Sequence, residues 1–198
     1  MAAPEVPGSG QEPSSEPPAV ARPPLAQLMP TGGLRVLVVA AGISVFAGSF
    51  IDFGLSTRAF VGAVLCPALV LLAAIDARHG LLPNKIVFPA TLAVAVILGV
   101  GDPGAFPRHL AAAAALGGFF FAFAAIFPGS MGFGDAKLGF LLGLALAGYR
   151  TFAAAIYACA GLLVAALYIL AKRGTSARKE VIPFGPFLAA GGIIAFFL

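Results

Sequence analysis

The sequence predicts an all-α fold, a polytopic membrane helix bundle with about six to seven transmembrane helices. Three observations predict it. The 198 residues are 60% hydrophobic and only 10% charged, with a mean hydropathy of +1.01, against roughly 25% charged residues in an ordinary soluble domain. Uncharged runs cover Val36–Ile51, Ala59–Ile75, Ile86–Gly101, Leu110–Gly134, Leu138–Tyr149, Thr151–Ala171 and Val181–Leu198, and most of them approach the ~17–25 residues a helix needs to cross the hydrocarbon core. These runs are apolar on every side, whereas a membrane barrel alternates polar and apolar residues in ~10-residue segments.

Residues 1–33 contain eight of the sixteen prolines, three glutamates and no apolar period, so they are expected to form a disordered, Pro-rich cytoplasmic tail. The start carries Glu5 where a secretory signal would be basic, and no cleavage is expected there. Residues 34–198 read as one transmembrane domain with short loops near 52–58, 76–85, 101–108, 128–137, 149–150 and 172–182. With the tail inside and every run crossing, the inner loops receive Arg22, Arg35, Arg78, Lys85, Lys137, Lys172, Arg173, Arg178 and Lys179, and the outer loops only Arg58, Arg108 and Arg150. That asymmetry follows the positive-inside rule and gives an N-in, C-out topology. Leu138–Tyr149 is the weak span, 12 residues or about 18 Å of helix, and it reads as a short helix that begins below the membrane surface. The Gly-rich stretch 129–134 before it fits, because irregular backbone is tolerated at membrane depth where protein or water covers it.

Two classes of partner lose support. Cys66 and Cys159 lie singly in separate apolar runs, without the C-x-x-C spacing of a zinc or redox site. The basic residues sit between apolar runs without forming a stripe, so a nucleic acid is not an expected partner, whereas membrane lipid is.

Beyond residue 33 the acidic residues are Asp52, Asp76, Asp102, Asp135 and Glu180. Asp52 and Asp102 fall in outer loops, and Glu180 falls among inner-loop cations, where a solvated charge suffices. Asp76 directly follows one apolar run and Asp135 directly precedes another, so the topology brings both to helix ends at the cytoplasmic face. A charge at the bilayer centre costs on the order of 3 kcal/mol and usually marks a pathway or an active site. Two converging carboxylates resist double ionisation and share a proton, so one acts as base and the other as acid without metal or cofactor. The competing readings are interfacial ion pairs with Arg78 and Lys137, a cation or proton site in a small transporter or channel, and a non-catalytic assembly protein. A metal site built on His79 with the two aspartates is a weaker alternative, and His109 belongs to an outer loop.

The stretch Asp76-Ala77-Arg78-His79-Gly80-Leu81-Leu82-Pro83-Asn84 resembles the first active-site signature of prepilin peptidases, the type IV leader peptidases. Gly132-Phe133-Gly134-Asp135-Ala136-Lys137-Leu138 resembles their second, Gly-x-Gly-Asp-x-Lys, and Ile182-Pro183-Phe184-Gly185-Pro186-Phe187 resembles the entry to their closing helix. The resemblance covers about residues 59–198. It implies that Asp76 and Asp135 are catalytic, and that a type IV pilin-like or pseudopilin precursor loses a short basic leader at the cytoplasmic face. Pilus or secretion assembly proteins are then expected partners. The paired C-x-x-C motifs of longer, methylating members are missing from the sequence, which resembles the short peptidase-only form, so methyl transfer is not expected. Presenilin-like enzymes are a poorer match, because Pro67-Ala68-Leu69 precedes both aspartates.

Around the pair, Pro83 and Asn84 end a loop and start a helix, and Gly132 and Gly134 allow close backbone approach beside Asp135. Arg78 and Lys137 are expected to shape the site or bind substrate, with snorkelling to the interface as the plain alternative for Lys137.

Overall fold

The computed structural model describes residues 24–127, 131–173 and 182–198, and every regular element among them is helical. A short turn α1 (Leu25–Leu28) precedes α2 (Gly33–Phe53), α3 (Thr57–His79), α4 (Asn84–Gly101), α5 (Phe106–Ile126), α6 (Phe133–Leu146), α7 (Gly148–Arg173) and α8 (Gly185–Phe197). Helix is the form that satisfies every backbone group within its own segment, as hydrocarbon requires. α2, α3, α4, α5 and α7 are long and apolar enough to cross a membrane. α6 and α8 have 14 and 13 residues, or about 20 Å each.

Local chemistry sets the ends that matter for the site. Ser56 caps α3 by accepting the Ala59 N–H at 3.3 Å, and Gly80, at φ 61°, closes it with its N–H donating to the Asp76 carbonyl at 2.8 Å. A left-handed residue is the usual helix stop, and glycine adopts it without strain. That stop leaves Asp76 in the last turns of α3. Three residues later Pro83, with φ −70°, caps α4.

Successive helices run up and down. The first turns of α3, α5 and α7 gather with the last turns of α4, α6 and α8 at one end, and the last turn of α3 meets the first turns of α4 and α6 at the other. Arg35, Arg78, Lys85, Lys137, Lys172 and Arg173 therefore belong to the end that holds the aspartates, and Arg58, Arg108 and Arg150 to the opposite end. Arg22, Arg178, Lys179, Glu180, Gly129 and Ser130 lie outside the described residues, as do residues 1–23 of the expected tail. Within residues 24–33, Leu25–Leu28 forms α1 and Leu28 is buried.

α6 is the hub. Ten of its 14 residues are buried, so its surroundings are protein and it does not need the length of a lipid-facing span. Its bounds differ from the uncharged run Leu138–Tyr149. The helix starts five residues earlier, including a buried Asp135 and a half-buried Lys137, because charges can lie inside a helix that other helices surround. It ends at Leu146, and Tyr149 and Arg150 belong to α7. The core around it holds Leu65, Leu69, Leu72, Leu141, Leu142 and Leu188. Large apolar side chains of α2 and α7, among them Val36, Ile43, Phe152, Ile156 and Leu167, stay exposed, as a lipid-facing belt should.

α5 and α6 pack through glycine. A methyl group at Gly143 would stand 2.4 Å from the Ala112 carbonyl oxygen and 2.7 Å from the Ala113 Cα. Backbone cannot yield as a side chain can, so Gly143→Ala should destabilise by about 2 kcal/mol, the scale of overpacking. Gly118, exposed on α5, has open space where its Cβ would lie, and Gly118→Ala should be neutral or stabilising. Thermal unfolding of both variants in detergent checks this contrast, and equal midpoints would refute the packing described.

Candidate active site

Asp76 and Asp135 come together. α3 delivers Asp76 and the first turn of α6 delivers Asp135; both are buried, at 5% and 8% exposure. They interact electrostatically and line the same two adjoining cavities, of about 500 and 520 Å³. Neither carboxylate has an ion-pair partner among the described residues. Asp76 Oδ2 is buried with no hydrogen-bond partner, and Lys137 Nζ donates instead to Asn84 Oδ1 at 2.8 Å. Interfacial ion pairing therefore does not explain the two acids.

The other motif residues surround them. Arg78 and Gly132 line one cavity, and Pro83, Asn84, Gly132, Gly134 and Lys137 line the other. The Lys137–Asn84 bond ties the start of α4 to the first turn of α6, and so fixes the α3–α4 connection against the helix that carries Asp135. Gly134 faces Leu82, whose Cβ would lie 3.0 Å from an added methyl group; the glycine lets that connection close over the site. Gly132 has more room, with Asp135 Oδ2 at 3.6 Å from the same construction. His79 is exposed and lines neither cavity. Among the described residues no group of three or more His, Cys, Asp or Glu converges.

Sequence reasoning missed several neighbours. Pro24, Leu25 and Leu28, placed in the expected tail, line the larger cavity beside both aspartates. Their signal was faint, two leucines three residues apart between prolines. Ile182, Pro183 and Phe184 line the second cavity, and Gly185 presses its backbone against Asp76, with 2.5 Å between an added methyl group and Oδ2. The segment reads from sequence as the entry to the last helix, but nothing in its spacing ties Gly185 to Asp76, 109 positions earlier in the chain.

Fold and site together define a polytopic helical membrane protein with a paired-aspartate centre at one end of the bundle. The chain belongs to the type IV leader peptidase family, which its residues 63–170 match. It is 36% identical over 157 residues to a prepilin leader peptidase/N-methyltransferase of Bacillus subtilis, covering 76% of this chain and 60% of that protein. A protein of the same name from Burkholderia pseudomallei is 32% identical over 176 residues, covering 85% of this chain and 56% of the relative. The leader peptidase HopD of Escherichia coli is 34% identical over 141 residues, 63% of this chain and 84% of HopD. The chain thus spans somewhat more than half the length of the two prepilin leader peptidase/N-methyltransferases. No solved structure matches it.

Proposed function

We propose that this protein is a membrane-embedded aspartyl endopeptidase that removes the short basic leader from type IV pilin-like precursors at the cytoplasmic face of a bacterial plasma membrane. The observation that carries the reading is the convergence of two buried, unpaired carboxylates, from α3 and α6, on one cavity at the bundle end richer in cations. The names of the relatives supply the leader as the substrate class.

In the resting site the pair holds one proton. The ionised aspartate takes a proton from water as its oxygen attacks the scissile carbonyl carbon, and the protonated aspartate donates to the carbonyl oxygen. The tetrahedral intermediate collapses when the leaving amide nitrogen is protonated. The C–N bond breaks to give the leader's carboxylate and a new amino terminus, and the carboxyl pair returns to its starting charge. Asp76 and Asp135 both line the cavities that would receive the water and the peptide. Arg78 and Lys137, on the cavity walls, hold the peptide chain or lipid phosphate near the entrance, and the expected assembly proteins engage at this same face.

Purified protein in detergent, incubated with a pilin-like precursor, should release the leader and leave a shortened product. Chelation of metals should leave the rate unchanged. Cation flux in proteoliposomes with no cleavage of any precursor would favour the transport reading, and assembly supported by a variant lacking both carboxylates would favour a scaffold.

A further inference from the structure

The bundle end opposite the aspartates holds a separate cavity of about 350 Å³, walled by Arg58, Asp102, Arg108, His109, Tyr149 and Arg150 over an apolar floor that includes Val61, Leu98 and Phe196. Its charge is poorly matched. Arg58 is anchored: its guanidinium donates to the Phe196 carbonyl and lies 3.8 Å from the centre of the Phe53 ring. Arg150 sits within electrostatic reach of Arg58, yet its Nε is buried without a hydrogen-bond partner, and its nearest aromatic contact is the Tyr149 ring at 5.4 Å. Arg108 stands exposed at the rim in the first turn of α5. The acid in this wall, Asp102, accepts the Ala105 N–H at 3.2 Å and forms no ion pair with these arginines among the described residues. His109 Nδ1 is engaged with the Leu144 carbonyl at 2.6 Å.

Three guanidiniums thus share a half-enclosed space with one carboxylate that is committed to a turn. A buried Nε without an acceptor, as in Arg150, is unfavourable, and two guanidiniums close together repel. An anion with several oxygens relieves both, and the guanidinium fork suits phosphate oxygens in particular. The α3, α5 and α7 N-termini at this end add favourable dipoles to that charge.

We propose that this cavity binds a phosphate ester, the phosphodiester of an anionic phospholipid headgroup in the leaflet opposite the aspartates. Arg58, Arg108 and Arg150 hold the phosphate, and the apolar floor receives the glycerol and the start of an acyl chain.

Thermal unfolding of the full chain in detergent, with phosphatidylglycerol, diacylglycerol of the same chains or inorganic phosphate added in turn, tests it. Phosphatidylglycerol should raise the midpoint by about 3 °C when present well above its dissociation constant, and diacylglycerol should not. An Arg108→Gln, Arg150→Gln double variant should lose the shift. Should inorganic phosphate reproduce it, the anion site stands with the free ion as occupant. Equal shifts from phosphatidylglycerol and diacylglycerol, or a full shift in the double variant, would overturn the proposal. If the double variant does not fold, Arg108→Gln alone, at its exposed position, should keep less than half of the shift, and full retention there overturns it equally.

Discussion

Asp76→Asn and Asp135→Asn should each slow leader removal by about a thousandfold while leaving the protein folded. The amide keeps the shape of the carboxyl group but can neither take a proton from water nor return one to the leaving nitrogen. General acid–base catalysis contributes ~10²–10⁴-fold, so the expected loss corresponds to about 4 kcal/mol of transition-state stabilisation. Both carboxylates are buried without a cationic partner among the described residues, and the Gly185 and Gly132 backbone N–H groups compensate the two charges only in part. Stability should be unchanged or slightly higher. Single-turnover cleavage rates and unfolding midpoints, measured on the same preparations, separate this from a structural role. Were the two aspartates merely structural, the variants would lose stability and keep the parental rate. The double variant should be scarcely slower than either single one, because the two groups act as a unit. Additive losses would contradict a shared proton.

The order of apolar runs carried the bundle, since each long span is a contiguous segment whose solvent is lipid. The same reasoning misjudged α6, because it bounds a helix by its charges. Asp135 and Lys137 belong inside that helix, where neighbouring helices replace lipid and a half-buried Lys137–Asn84 bond secures one of them. The convergence of Asp76 and Asp135 was legible from topology alone, as two helix ends at one face. What the sequence could not display is contact between distant segments. Leu25 and Leu28 reach the cavity from a Pro-rich stretch without period, and the approach of α8 to Asp76 depends on crossing geometry that no local pattern encodes.

That last contact yields a prediction that reverses the ranking of glycines a motif suggests. Gly132 stands in the Gly-x-Gly-Asp segment, while Gly185 stands 50 residues beyond Asp135 at the start of α8. A methyl group on Gly185 would meet Asp76 Oδ2 at 2.5 Å, Cγ at 2.8 Å and Cβ at 3.2 Å. The aspartate side chain is short, so it cannot yield at its tip alone; relief requires the whole carboxyl group to move or α8 to retreat. A displacement of about 1 Å at reacting groups can cost 10²-fold, so Gly185→Ala should lower kcat by at least about a hundredfold. KM should change less than kcat, because Pro83, Asn84, Gly134 and Lys137, which line the larger cavity, stand at the starts of α4 and α6, away from the substitution. Overpacking at one methyl group costs about 1–3 kcal/mol, so the variant should fold. Gly132→Ala meets only an ordinary contact of 3.6 Å to Asp135 Oδ2, and its backbone, at φ −80°, is open to any residue; it should retain at least tenfold more activity than Gly185→Ala. Steady-state kinetics on the two variants decide the matter. Parental kcat in Gly185→Ala would mean that the start of α8 does not press on Asp76 during catalysis, and the orientation of that carboxylate would need another cause.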